Sequence, residues 1–511
     1  MPQFSKNLAN LRPDEVALTD PWKSLGWAEV DDILNRIVNG LMALNLPKGC
    51  RVAVFAENAA ETALANLGGL IAGLSVTPVN FHLNANEAAY VIGNANAAVL
   101  FVDATTVERG LIAAQMADVK TVIGWGGIEG AVLDFDSWLA VQSDAPCPED
   151  QPPQPNLLYT SGTSGRPKAV ELPPTMFAGG STVAEHLRLL SENMMAPMGT
   201  HLVVGPMYHT GPLSGARLLA AGTPSVILGR FDAEKTLAAI ERHKIGSSIM
   251  VPTHFMRMLA LPDDVRAKYD LSSLQIVNHT GARCPVEVKH AMIEWFGPVL
   301  FEAYGATEVG TTNSISSEEW LAHPGSVGCA QPPFTAMILD GEGNEVAVGT
   351  EGLLCFTDST GRGPIYHDDP AKTAEAYVSP GIFTLGEIGY MDKDGYVYIT
   401  DRISDMIVSG GVNIYPAEAE QILINHPQIA DIACVAAPHP DFGEELAALI
   451  VPADPLAPPE SEEVIEWCRE RLSSYKCPRR IELCDDLGRS AFGKLNKRTL
   501  RARFWPEGTD T

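Results

Sequence analysis

The chain has 511 residues, 46% hydrophobic and 19% charged, which describes a folded globular protein too long for one ordinary core, with two to four domains expected. Its net charge of −27 excludes a general nucleic-acid binder and confines any polyanionic ligand to a local basic pocket. Nine cysteines without a CxxC pair and twelve histidines without HExxH spacing exclude a disulfide framework, a zinc ribbon and an HExxH zinc site, and point to a reducing, cytoplasmic setting.

Taken in chain order, the first segment, MPQFSKNLANLRPDE, lacks the basic-then-apolar layout of a signal peptide. WAEVDDILNRIVNGLMAL (27–44) spaces its apolar residues at the period of a helix, and RVAVFAE (51–57) and AAVLFVDA (97–104) read as buried strands. LGGLIAGLSV (67–76) is apolar but too short to span a bilayer, so it reads as a buried helix or strand, and no integral membrane segment is expected. PSVILG (224–229) and GSSIMVP (246–252) continue the alternation, which predicts α/β layers with largely parallel sheets. SDAPCPEDQPPQP (143–155) is a proline- and acid-rich connector.

Further on, EGLLCFT (351–357) and GYVYITDR (395–402) alternate like antiparallel strands, with an Asp-Gly hairpin turn in KDGY (393–396). After residue 402 the pattern changes to a small α+β domain. NIYPAEAEQILINHP (413–427) predicts a helix with Pro416 in its first turn, IADIACVAAP (429–438) and ELAALIVPA (445–453) predict strands, and SEEVIEWCRERL (461–472) predicts an amphipathic helix. No Lys or Arg occurs from 403 to 468, and eleven occur from 469 to 503. Such a segregation reads either as a solvated helix plus a basic tail or as a patch facing a phosphate ligand.

The stretch LLYTSGTSGRPKAVEL (157–172) follows the connector directly. Glycines allow close backbone approach, and N–H groups with Ser and Thr hydroxyls make a polydentate cradle for anionic oxygens, to which Lys168 adds charge. It is not a Walker A loop, because Pro167 precedes the lysine and Ala169 follows it. In FEAYGATEVG (301–310), Tyr304 offers a flat face to a purine, Thr307 a hydroxyl to phosphate, and Glu308 a ligand for Mg²⁺.

In their order, these stretches resemble the adenylate-forming superfamily of acyl-CoA synthetases, nonribosomal-peptide adenylation domains and beetle luciferases. The resemblance runs over nearly the whole chain. It implies a large N-terminal domain (1–402) of layered α/β subdomains with a small antiparallel barrel-like part, and a small mobile α+β C-terminal domain (403–511), with a hinge near 402–405. YTSGTSGRPKAV resembles the phosphate loop, so Thr160, Ser161, Gly162, Thr163, Ser164, Gly165 and Lys168 are the expected clamp for the β- and γ-phosphates of ATP. FEAYGATEVG resembles the second signature, which assigns Glu302, Ala303 and Tyr304 to the nucleotide, Thr307 and Glu308 to catalysis, and Glu308 to the metal. HTGARC (279–284) resembles the segment along the adenine and acyl pocket, with Gly281 and Ala282 beside the nucleotide. In the stretch toward the hinge, Glu387 stands where the family usually has Asp, and one methylene more still allows it to accept from both ribose hydroxyls. Arg402 matches the nucleotide-contacting arginine, and Ser404 occupies the hinge position where Asp or Lys is usual.

GRSAFGKLNKRTLR (488–501) resembles the last signature, with Gly488 and Phe492 replacing the commoner Pro and Thr, and Lys494 matches the lysine that reaches the acyl carboxylate and the α-phosphate. PMYHTGPLSG (206–215) resembles the pocket-entrance segment, with plain packing as the alternative for His209; the expected acyl pocket comprises Met207, His209, His254, His279, Gly305 and Val309. The implied activity is ATP-dependent activation of a small-molecule carboxylic acid, followed by transfer to coenzyme A, with ATP, Mg²⁺ and coenzyme A required. The acid is aromatic, steroid-like or fatty. No carrier-protein domain is expected after Lys494, and a homodimer is the candidate assembly. Two alternatives stand beside this reading: an amide bond synthetase that passes the adenylate to an amine, and a non-catalytic ligand-binding relative, which would be expected to have lost Lys494 or Glu308.

Overall fold

The computed structural model describes residues 3–128, 132–160, 167–172, 179–402, 405–409, 412–439, 442–472, 474–489 and 495–505. The chain divides into two compact units, one of Met1–Thr280, Val288–Thr311 and Arg362–Thr373, the other of Gly281–Glu287, Thr312–Gly361 and Ala374–Thr511.

The first unit is built on parallel sheets, as the alternation predicts. In one, Ser75–Pro78, Arg51–Phe55, Ala97–Asp103, Thr121–Trp125 and Leu133–Asp134 lie side by side in that order, all parallel. In the other, Val16–Thr19, Ser225–Ile227, Thr200–Val203, Ile245–Met250, Ile276–His279 and Leu300–Ala306 are parallel neighbours, with Ser24–Gly26 added antiparallel at one edge. Parallel strands connected by helices are covered on both faces, which is why Ile245–Met250 is buried along its whole length. The helix Trp27–Ala43 buries Trp27, Val30, Leu34, Ile37, Val38 and Leu41, the three-and-four spacing that marks one helix face. LGGLIAGLSV is split between the helix Ala60–Ile71, buried except at Glu61, and the strand Ser75–Pro78, so both readings of it hold in part.

The second unit holds the antiparallel barrel-like part and the small α+β domain. The former pairs Phe334–Leu339, Gly352–Asp358, Ile382–Met391 and Tyr377–Ser379, with Val397–Arg402 also on Ile382–Met391. The Asp-Gly turn is present, with Gly395 at φ +89°. In the α+β domain, Ile429–His439 pairs antiparallel with Gly443–Pro452, and Arg480–Leu483 adds parallel to the latter. Successive residues of a strand point to opposite faces. Thus Cys434 and Ala436 join a core with Ala419, Leu423, Val464 and Cys468 of the helices Pro416–Leu423 and Ser461–Arg469. Ala433, Val435 and Ala437 join another with Leu487, Leu500 and Phe504. Pro416 opens its helix at the first turn, where its missing N–H costs nothing.

Among the described residues, no helix is long and apolar enough to cross a membrane.

Candidate active site

In open α/β sheets, ligands bind beyond the carboxyl ends of the strands, where loops of adjacent strands diverge. In the first unit four neighbouring parallel strands deliver expected residues to this edge. Met207 and His209 follow Thr200–Val203, His254 follows Ile245–Met250, His279 ends Ile276–His279, and Thr307 and Glu308 follow Leu300–Ala306. Parallel pairing with matched registers brings these ends together from positions a hundred residues apart.

Each loop is held by local chemistry. The buried Asn58 accepts from the Met207 N–H at 2.9 Å and donates to the Gly205 carbonyl at 2.8 Å, clamping the start of the loop. His209 then takes extended backbone and begins the helix Thr210–Arg217, its ring 4.3 Å from that of Tyr208. His254 is 2% exposed and stacks on Phe231 at 4.1 Å and 13°, and burial holds its imidazole down to about 3, so it is neutral at physiological pH. His279 is fully buried against Phe255, and burial, with the Lys289 ammonium nearby, holds it well below the ordinary range. Met207 and Val309 are buried as well, while Gly305 is half-buried.

The acidic turn has a simple cause. The Val309 N–H donates to the Ala306 carbonyl at 3.2 Å, which leaves Thr307 and Glu308 at the tip of a tight turn. Gly310 follows at φ +85°, and a Cβ at Gly305 would lie 1.9 Å from the Gly310 carbonyl oxygen. Only glycine at 305 lets the chain double back this closely. Ala303 and Tyr304 lie on the strand leading in, both half-buried. Glu302 is different: the residue is 8% exposed, and its carboxylate accepts from Lys289 Nζ at 2.5 Å, with His279 Nε2 at 3.6 Å. This side chain is engaged in the interior by a buried ion pair, a role the sequence reading did not foresee.

The phosphate-loop motif forms a hairpin, Leu157–Thr160 against Lys168–Glu171. Its register sets Thr160 opposite Lys168, so the two ends of the loop meet at its base. Tyr159 anchors the hairpin by donating to Asn94 Oδ1 at 2.6 Å. Ser161, Gly162, Thr163, Ser164 and Gly165 lie outside the described residues, as do Ser404 and Lys494. Glu308, half-buried, has its Oε1 2.9 Å from the hydroxyl of Tyr366, a residue that sequence reasoning passed over because nothing in the spacing of IYHDDP marks it.

In the second unit, Gly281 takes φ +87° and Ala282 is exposed beside it. Glu387 is 5% exposed and directly opposite Arg402 across the strand pair. The basic tail is largely neutralised within its own domain. Arg489 makes a two-point contact with Asp431 at 2.6 and 2.7 Å, Lys476 holds Glu418 at 2.6 Å, Lys497 lies 2.9 Å from Glu420, and Arg501 donates to Glu444 at 2.6 Å. Arg479 and Arg480 lie over Phe442 and Phe504. The charge segregation along the chain is therefore in large part an internal pairing of acidic first half and basic tail, a third possibility beside the two read from sequence.

The chain matches the family model for AMP-binding enzyme over residues 5–361 and that for AMP-binding enzyme C-terminal domain over residues 418–494. It is 32% identical to the fatty acid–[acyl-carrier-protein] ligase ScoC of Streptomyces coeruleorubidus, over 97% of this chain and 95% of that protein. It is 30% identical to feruloyl-CoA synthase of an Amycolatopsis species, over 97% of each chain. Among solved structures, ATP-bound MatB from Rhodopseudomonas palustris matches with a TM-score of 0.80 at 25% identity, over 99% of both chains. The chain belongs to the AMP-binding family of adenylate-forming enzymes. It is an enzyme of the adenylate-forming ligase class, whose members use ATP.

Proposed function

We propose that this enzyme joins a carboxylic acid to coenzyme A through an acyl-adenylate, releasing AMP and pyrophosphate. What carries the reading is the convergence of Thr307, Glu308, His209 and His254 at the carboxyl edge of one parallel sheet, with Tyr366 reaching Glu308 from the segment beside the phosphate-loop hairpin.

The acid's carboxylate attacks the α-phosphorus of ATP in line, and pyrophosphate leaves. Two anions must meet, so the work is positioning and charge neutralisation. Thr160, Ser161, Thr163 and Lys168 hold the leaving phosphates, with Gly162, Ser164 and Gly165 giving the backbone its close approach. Lys494 bridges the carboxylate and the α-phosphate. Tyr304, Ala303, Gly281 and Ala282 flank the adenine, and Glu387 and Arg402 hold the ribose. Magnesium is commonly held by one or two carboxylates together with substrate phosphates. Glu308, at the tip of its turn with one oxygen hydrogen-bonded to Tyr366, is a carboxylate of that kind. Bound there, the ion would supply charge neutralisation between the phosphates.

The second step needs Lys494 withdrawn and the thiol admitted, for which we keep the boundary at 402/403 with Ser404 in the hinge; the glycines of SGGVNIYP (409–416) would line the channel. The buried faces of Met207, His254, His279 and Val309 suit an apolar or aromatic acid. Two of the curated relatives are named for a fatty acid and for feruloyl-CoA. A second reading has one observation in its favour: ScoC is named for an acyl-carrier-protein acceptor. The setting we propose is the cytoplasm, in keeping with nine scattered cysteines that form no CxxC pair.

The test is pyrophosphate release with Mg·ATP across a panel of acids, with coenzyme A, a phosphopantetheinylated carrier protein or an amine as acceptor, and products read by mass spectrometry. An acyl-CoA product supports the proposal. Adenylate formed with transfer only to carrier protein or amine overturns the acceptor, and no acid-dependent release overturns the ligase reading.

A further inference from the structure

The segment Arg362–Thr373 belongs to the first unit although it is distant in sequence from the rest of it. Residues 365–367 run beside the returning strand of the phosphate-loop hairpin. The Glu171 N–H donates to the Ile365 carbonyl at 3.1 Å, the His367 N–H donates to the Ala169 carbonyl at 2.9 Å, and Val170 and Tyr366 form an antiparallel bridge between them. Arg362 donates to the carbonyls of Glu171 and Leu172 at 3.0 Å each, and His367 Nδ1 lies 2.8 Å from Glu171 Oε1. The segment is in effect a third strand of the hairpin. The Tyr366 ring packs on Leu158, Val170, Leu172 and Leu213, so its direction is set by the hairpin's own core. From there its hydroxyl donates to Glu308 Oε1 at 2.9 Å. Among the described residues this is the hydrogen bond that the Glu308 carboxylate makes.

We propose that Tyr366 is a positioning residue that orients the Glu308 carboxylate and couples it mechanically to the phosphate-loop hairpin. The inference rests on the reading of Glu308 as the metal ligand. A glutamate at the tip of a turn has several rotamers, and a hydrogen bond to one oxygen selects among them and presents the other oxygen. Because the donor rides on the strand beside the phosphate loop, the two anion-handling elements take a shared position: a shift of the hairpin moves the phenol, and with it the acid.

The test uses Mn²⁺ as the probe, with free ion followed by electron paramagnetic resonance, in the presence and absence of ATP. It compares the full-length enzyme, Tyr366→Phe, Glu308→Gln and the double variant. Phenylalanine keeps the ring and its apolar contacts, so the fold and unfolding temperature are expected to hold. The expected result is ATP-dependent Mn²⁺ binding weakened roughly three- to tenfold in Tyr366→Phe, as for loss of one charge-assisted hydrogen bond. Glu308→Gln is expected to weaken it more, with the double variant no worse than Glu308→Gln, and KM for the acid unchanged in Tyr366→Phe. Full Mn²⁺ binding in Tyr366→Phe beside weakened binding in Glu308→Gln overturns the coupling and leaves the metal assignment standing. Additive losses in the double variant also overturn it, since Tyr366 would then act independently of Glu308. Wild-type binding in Glu308→Gln overturns the metal assignment and the coupling together.

Discussion

The parallel-sheet unit and the C-terminal α+β domain use charge in opposite ways. In the first, the strands are largely buried and the expected site residues collect where strands end, as His209, Thr307 and Glu308 do. In the second, Arg489, Lys476, Lys497 and Arg501 are spent on carboxylates of the same domain. A strand end is a place where backbone direction is dictated by burial elsewhere, so a side chain there can be set by function. A cation paired with a partly buried carboxylate is set by stability. Substitutions at the sheet edge should therefore cost activity with little loss of fold, and substitutions in the paired tail should do the reverse.

Lys494 is the sharpest way to break that division, since it is a basic-tail residue proposed for chemistry. Lys494→Ala is expected to lower adenylate formation by on the order of 100-fold or more, as removal of a group acting on the transition state does, while thioester formation from supplied acyl-adenylate stays near normal. Half-reaction assays read both rates, and equal loss of the two would place Lys494 with its structural neighbours.

Glu308→Gln tests the sheet edge. Adenylation is expected to fall by about 100-fold with the unfolding temperature nearly unchanged, because the turn is made by backbone and by Gly305 and Gly310 rather than by the carboxylate. A drop in stability matching the drop in rate would dissolve the contrast.

Acid should separate the regions by stability. In the parallel-sheet unit, His186 and His201 are held at about 4 and His254 at about 3, all by burial, against an ordinary value of 6.5. Their folded values are depressed, so the unfolded chain takes up protons first. The stability they permit is complete above 6.5 and falls as pH drops from there toward 4. Each would withdraw roughly 2 kcal/mol by pH 5. Thermal unfolding from pH 7.5 to 5 is expected to show this decline, and a flat profile would contradict the buried-neutral assignment.

Arg489→Met removes the two-point contact with Asp431 and should cost about 1–3 kcal/mol of stability, measured by denaturant unfolding, with adenylation kinetics little changed. The smallest effect is expected of Glu387→Asp. Both carboxylates can accept two hydrogen bonds, so KM for ATP should stay within a fewfold, and a large rise would show that the longer side chain is required.

Local physics was legible in sequence. The three-and-four spacing of Trp27–Ala43 demanded a helix face, Pro416 demanded a first turn, and the alternation of 351–357 and 395–402 demanded antiparallel strands, because each depends on neighbours a few residues away. The order of motifs carried the family and most candidate site residues. What sequence did not hold were pairings across long separations. Nothing near Glu302 announces Lys289 and nothing near Glu308 announces Tyr366, while the acidic and basic halves of the C-terminal domain look like two surfaces until folding sets them together. Periodicity determined which segments are strands and helices, and the motifs, through their resemblance to a family, marked which residues are candidates for chemistry. Only the tertiary structure decided which of those charges face one another, because that depends on strand order and register, and a contact between residues 58 positions apart leaves no local trace.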